Sequence, residues 1–269
     1  MSGFSVEWLT LREAYDLRAR DSAVLGAVVS PLRLKSTVTI ADLACGTGST
    51  LRALSPHLPA RQHWDLVDND SRLLSVACSG SPSEEIELNP VQFDLNGDFE
   101  VVLNQPRDLI TTSALLDLVS ETWLDRFARH VAARGLPVYA ALTYDGRIEL
   151  SPSDPTDAAI AAAVNDHQRT DKGFGPALGQ SATAAAIARF ETLGYSVMQG
   201  ISDWVIGTPD RDIQIELLKG WAAAASEMQS LPSREIDDWL SRRGEAVDQG
   251  VSTMRVGHVD FLASPSSTR

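Results

Sequence analysis

A doubly wound α/β fold follows from three features of the 269-residue sequence. Between residues 37 and 145, short β-branched runs alternate with helical stretches as five strand-and-helix units, the order that builds a parallel sheet covered on both faces. The first run ends in Gly46-Thr47-Gly48, the glycine turn such a sheet places between its first strand and first helix. Residues 136–144 are almost continuously apolar, as a strand buried on both faces must be.

In chain order, residues 8–29 carry Leu9, Leu11, Tyr15, Leu17, Val24, Leu25 and Val28 at spacings near three and four and predict one helix, stopped by Pro31. A strand at 38–43, the glycine turn and a helix at 51–58 follow, then a strand at 63–68 and a helix at 72–77. Strands at 91–93 and 108–112 come next, with a long helix at 115–132 capped by Ser113 and the apolar strand at 136–144. Beyond Tyr144 the pattern breaks into an insertion at 146–180, with an alanine-rich helix at 156–165 and a polar loop at 171–176. A helix at 184–193 and a strand at 195–206 resume the alternation. A second insertion at 207–250 holds two amphipathic helices, striped by Ile213, Leu217, Trp221, Ala224 and Met228 and by Ile236, Trp239, Leu240 and Val247. A last strand at 254–263 precedes a Ser/Pro tail at 264–269, expected to be loose. The domain reading is therefore a helical cap at 1–36, one α/β domain at 37–263 with two insertions, and the tail.

Composition narrows the function. Lys and Arg total 23 against 36 Asp and Glu, a formal charge of −13 that repels phosphate backbones, so nucleic acid is not an expected partner. The longest apolar stretches, 23–29 and 158–164, fall far short of the roughly 20 residues that cross a bilayer, so no membrane partner is expected either. The first 13 residues lack a basic and then apolar leader, which predicts a cytoplasmic protein. Cys45 and Cys78 have neither CxxC nor histidine partners at ligand spacing, so no disulfide framework or metal site is expected.

The glycine turn carries chemistry. In Asp42-Leu43-Ala44-Cys45-Gly46-Thr47-Gly48 the glycines let backbone approach a ligand, and the following helix offers free N–H groups. Asp68 ends the second strand 20 residues beyond Gly48, where a carboxylate can accept both hydroxyls of a ribose. A turn that needs glycine only for its own geometry is the plain alternative.

With these residues in place, the sequence resembles the class I S-adenosylmethionine-dependent methyltransferases, and residues 167–179 and 255–262 look like a bacterial branch of them. Asp42, Ala44, Gly46 and Gly48 take the positions of the family's acidic and glycine motif, with Ala44 where the family has its first glycine. The resemblance implies S-adenosyl-L-methionine as cofactor, Asp68 on its ribose, and Asp94 and Leu95 on its adenine. It also implies a mostly parallel seven-stranded sheet with an antiparallel last strand, and a first helix folded over the cofactor. The cofactor-binding set then includes Thr112 at the end of the fourth strand and Arg20, one of three arginines with Arg12 and Arg18, on the cofactor's carboxylate. Surface ion pairs with Glu13, Asp16 or Asp21 would equally account for those arginines. A dinucleotide-binding dehydrogenase is the rival, but its third glycine would fall at Leu51.

Both insertions emerge at the carboxyl ends of the strands, the ligand edge of such a sheet, and would enclose a small-molecule acceptor. Methyl transfer needs alignment and dryness more than a catalytic signature. Asp117, one turn into its predicted helix, is the candidate for positioning or deprotonating the acceptor, unless it only complements the helix dipole. Tyr144 and His167 are the other catalytic candidates, against packing under a loop and simple solvation. His258, in mid-strand, reads as a core residue. The expectation is a methyltransferase acting at O, N or S of a small molecule without a metal. A non-catalytic cofactor-binding module is the alternative.

Overall fold

A computed structural model of the chain describes residues 4–79 and 83–266. Its eight strands are β1 Thr37–Leu43, β2 Arg61–Asp68, β3 Ile86–Gln92, β4 Leu109–Ser113, β5 Val138–Ser151, β6 Tyr195–Ile201, β7 Trp204–Ile206 and β8 Thr253–Pro265. They form one sheet in the order β3-β2-β1-β4-β5-β8-β6, with β7 also on β8. β3, β2, β1, β4 and β5 run parallel, and β8 runs antiparallel to both β5 and β6. The expected sheet is present, with three changes: β3 starts at Ile86 and not at 91, β5 runs on through Ser151 into the segment read as an insertion from 146, and the strand read over 195–206 is broken at Ser202 and Asp203, with both halves on β8. Ser202 is fully buried there and its N–H donates to the His258 carbonyl.

The nine helices among the described residues are α1 Val6–Ala19, α2 Ser22–Leu32, α3 Ser49–Leu54, α4 Ser71–Cys78, α5 Glu121–Ala133, α6 Asp157–Gln168, α7 Ala182–Thr192, α8 Arg211–Met228 and α9 Ser233–Asp248. None is long and apolar enough to cross a membrane. α5 and α7 bury Trp123, Phe127 and Phe190 against Phe261 and Ala263 on one sheet face. α2, α3 and α4 bury Val28, Leu54 and Leu74 against Ile40 and Trp64 on the other. A third core stands over the strand ends, where Trp204, Trp221 and Trp239 join α6, α8, α9 and β7, and Trp8, Leu11 and Tyr15 of α1 pack against it.

Three sequence expectations are corrected here. The single helix over 8–29 is two, because the Asp21 carboxylate accepts from Ala23 and Val24 N–H and starts α2 afresh. Pro31 falls in the last turn of α2, which runs on to Leu32. The helix over 115–132 begins only at Glu121, where Ser120 and not Ser113 caps it by accepting from Trp123 N–H at 3.2 Å. Leu115 and Leu116, whose spacing imitated a helix, fill the core from a turn. Ser264 and Pro265, read as the start of a loose tail, pair with Ser196 and Tyr195; residues 267–269 of that tail lie outside the described residues.

Candidate functional site at the carboxyl edge of the sheet

Backbone strain marks one edge of the sheet. Of the four non-glycine residues with positive φ among those described, three sit where β1, β4 and the parallel part of β5 end: Ala44 at 53°, Ala114 at 51° and Leu142 at 53°. A left-handed conformation costs an L-residue about 1–2 kcal/mol, and such costs gather at sites that need a particular backbone path. Gly46 and Gly48 continue the path at 55° and 86°.

The first cluster surrounds this loop. Asp42 is fully buried; its Oδ1 accepts from Thr111 Oγ1 at 2.7 Å, and its Oδ2 has no partner. Burial pushes its carboxyl up to about 6, against the Thr111 hydrogen bond and the charge of Arg20, which pull it down. Asp68 ends β2, and its two oxygens accept from Gly46 N–H at 2.9 Å and Asp70 N–H at 3.0 Å. Those bonds aim the carboxylate and leave each oxygen a lone pair. Arg20 is 7% exposed and donates to Thr50 Oγ1 and Tyr139 Oη, while its Nε is unpaired. It is therefore no surface ion pair. Thr112 is buried with its hydroxyl unpaired, Leu95 is buried, and exposed Asp94 accepts from Asn96 N–H in its own turn.

α1 roofs the loop. Leu9 Cδ1 lies 3.2 Å from where a Gly46 Cβ would stand, so any larger residue there would press on the helix. Glu13 is ion-paired with Arg52 of α3, and Tyr15 Oη donates to Asp210 at 2.9 Å.

The second cluster lies over the ends of β4, β5 and β8. Asp117 is in the turn before α5, is 5% exposed, and has Oδ1 unpaired. Burial pushes its carboxyl up to about 6; backbone amides, Tyr144 N–H among them, and the Arg12 charge pull the other way. Tyr144 Oη donates to Asn165 of α6 at 2.9 Å, and burial raises the phenol above its ordinary range. Arg12 pairs with Asp16 within α1, stacks 4.9 Å over Trp204, and Trp204 Nε1 donates to Asp16.

His167 does not join this cluster. It lies in the last turn of α6 instead of a loop, with Nε2 3.0 Å from Glu227 and its ring beside Lys172. Asn165, two residues earlier and about 200° around the helix, is the one that reaches Tyr144. The sequence reading brought Trp204 to this edge without a role, missed Asn165 and treated His258 as core. Two open surface hollows of about 450 and 270 Å³ border this edge, the first lined by Asp145, Gln180, Thr183 and Glu191 and the second by Asn96, Ser120, Trp123 and Phe174. The strained, charged edge is the better candidate because it joins a glycine loop of positive φ to buried carboxyls with unpaired oxygens.

Comparison with protein-family models and with curated protein sequences yields no match. Among solved structures, the chain is similar to a cyclopropane-fatty-acyl-phospholipid synthase-like protein from Lactobacillus casei, at 12% identity over 97% of this chain and 94% of that one, with a TM-score of 0.56. It is also similar to the YcgJ protein from Bacillus subtilis, at 14% identity over 92% of this chain and all of that one, with a TM-score of 0.51. The chain shares their fold across nearly its whole length.

Proposed function

We propose that this chain is an S-adenosylmethionine-dependent methyltransferase with a small-molecule acceptor. The observation that carries the reading is the edge itself: a strained glycine loop between β1 and α3, with Asp42 behind it and Asp68 bonded to Gly46 N–H, in a sheet whose β8 runs antiparallel. A dinucleotide-binding fold would keep its strands parallel and place glycine at Leu51, which instead is buried in the core. The name of the Lactobacillus casei protein, a synthase-like protein for cyclopropane fatty acyl groups, supports transfer chemistry on this fold.

The residues fit the cofactor. Asp68 has free lone pairs for a ribose, Arg20 an unpaired Nε for a carboxylate, and Asp42 Oδ2 and Thr112 Oγ1 are buried acceptors in need of donors. Leu95 offers an apolar side to the adenine, with Asp94 beside it. When bound, S-adenosylmethionine supplies an electrophilic methyl group on a sulfonium. The chain's share is to hold the acceptor in line and keep water out. Asp117 holds or takes the acceptor's proton, its raised carboxyl being part-protonated near neutrality. Tyr144 shapes the same pocket, fixed by Asn165. His167 has a lesser place, because Glu227 and Lys172 occupy its ring nitrogens.

Calorimetry with S-adenosylhomocysteine and with NAD, followed by turnover of methyl-labelled cofactor on a metabolite extract, tests the reading. Tight binding of the first, none of the second, and a labelled product are expected. Binding without product would make the chain a cofactor-binding module, and preference for NAD would overturn the assignment.

A further inference from the structure

His258 stands opposite Tyr144 in the β5–β8 pairing, is 5% exposed, and has no partner at Nδ1. Its ring lies 5.0 Å from Trp204 and 6.2 Å from Tyr144. The Asp117 carboxyl also adjoins Tyr144, facing that residue's backbone N–H with Oδ1 unpaired. Buried polar atoms nearly always find partners, so two unpaired ones beside one tyrosine point to a ligand. Arg12 sits over the same Trp204, and Asp16 neutralises it. With Asp117 ionised, the charges of Arg12, Asp16 and Asp117 sum to one negative, and Asp203, which accepts from the His258 backbone N–H, is paired with Arg147 and Arg255.

We propose that Asp117 and His258 together bind a primary amine on an apolar body, and that this amine is the acceptor; the proposal rests on the methyltransferase reading of the same edge. The donor count decides the class. A primary amine has at least two N–H hydrogens, one for Asp117 Oδ1 and one for His258 Nδ1 with the imidazole proton on Nε2. An alcohol has one hydrogen and leaves one of the two buried acceptors unpaired. The imidazole stays neutral, its pKa held down to about 3 by burial and by the Arg12 charge, so Nδ1 is free to accept. An ammonium form gains further from the ionised Asp117 and meets no uncompensated cation, because Arg12 is already paired; it would pass one proton to Asp117 before its nitrogen lone pair could take the methyl group as the C–S bond breaks.

Benzylamine and benzyl alcohol, alike in shape, are the probes. Each is titrated into the full chain, with and without S-adenosylhomocysteine, while the ring signals of labelled histidine are followed by NMR and His258 is assigned by substitution. Saturable shifts at His258 are expected, with benzylamine about tenfold or more the tighter, the scale of one unpaired buried acceptor. His258→Phe, which keeps the ring packing, should lose about tenfold in benzylamine affinity, read by calorimetry. His258→Asn, whose side-chain amide can stand near the Nδ1 position, should keep most of it. Equal affinity for the two probes, no shift at His258, or an unaffected His258→Phe overturns the proposal. If His258→Phe fails to fold, the wild-type comparison and His258→Asn decide. S-adenosylhomocysteine binding in the same preparation separates the readings: binding without amine preference removes only the amine proposal, while amine preference without cofactor binding removes the methyltransferase.

Discussion

Replacing Asp117 by Asn should make the protein more stable and less active, by amounts that depend on pH. The carboxyl has a pKa of about 6 in the folded chain against an ordinary 3.8. At 1.36 kcal/mol per decade, that gap is an order-of-magnitude cost of about 3 kcal/mol for holding the ionised group in the fold above pH 6. The sign follows from which state gives up its proton first. Below pH 3.8 both states are protonated and no cost arises. Between pH 4 and 6 the unfolded chain ionises while the folded chain resists, so stability falls as pH rises, and above 6 the loss is constant. Asparagine titrates in neither state. Its advantage over the wild type should therefore grow by about 2 to 3 kcal/mol from pH 4 to pH 8, less whatever the unpaired amide costs at both pH values. Urea unfolding of both proteins at pH 4, 5, 6 and 8 measures this directly. Turnover of Asp117→Asn should drop by about 10² to 10⁴ with cofactor affinity nearly unchanged. A stability difference that is flat across pH, or that favours the wild type at pH 8, would refute the reasoning.

Asp68→Ala should weaken S-adenosylhomocysteine binding by about 1.5 to 3 kcal/mol in calorimetry, and an unchanged affinity in the folded variant would place the ribose elsewhere. Asp260 is fully buried and accepts from Tyr139 Oη, Leu142 N–H and Asp21 N–H at 2.8 to 3.1 Å, so Asp260→Ala strands three donors. Thermal or urea unfolding should show a loss of about 3 to 5 kcal/mol. Gly257→Ala would bring a Cβ to 2.7 Å from Arg147 Cβ and onto Asp145, so a loss of about 1 to 3 kcal/mol is expected in the same assay, and a neutral result would mean that β5 yields there freely.

The central strands were readable because β1, β4 and the first half of β5 are apolar runs buried along almost their whole length, whereas β3, without a buried residue and interrupted by Pro90, showed only its end. The ends of helices were less readable. Asp21 restarts a helix by turning its carboxylate onto two N–H groups, and Ser120-Glu121 was an available cap signal outcompeted by Leu115 and Leu116. Those leucines bury as well from a turn as from a helix, so their spacing carried no information. At the site, the Asp42 to Gly48 loop and Asp68 were legible because one βαβ unit brings them together. Arg12, Asp117, Tyr144, Asn165, Trp204 and His258 span almost the whole chain. Their meeting depends on how α1 and α6 dock, and that docking turns Asn165 inward and His167 toward Glu227.

The position of β8 bears on how the protein is made. It is the last strand in sequence, yet it lies between β5 and β6, which do not pair with each other. Val138 meets Ala263, a separation of 125 residues, so this closure is the most non-local strand pairing in the sheet. During synthesis β1 to β5 can assemble as soon as they emerge, while β6 and β7 must wait without partners until residues 253–265 arrive. Met198, Ile201 and Val205, exposed even in the finished sheet, are carried on those waiting segments. A nascent chain stalled before residue 253 is therefore the species most prone to pair with its neighbours, and the rate at which β8 arrives sets how long that hazard lasts.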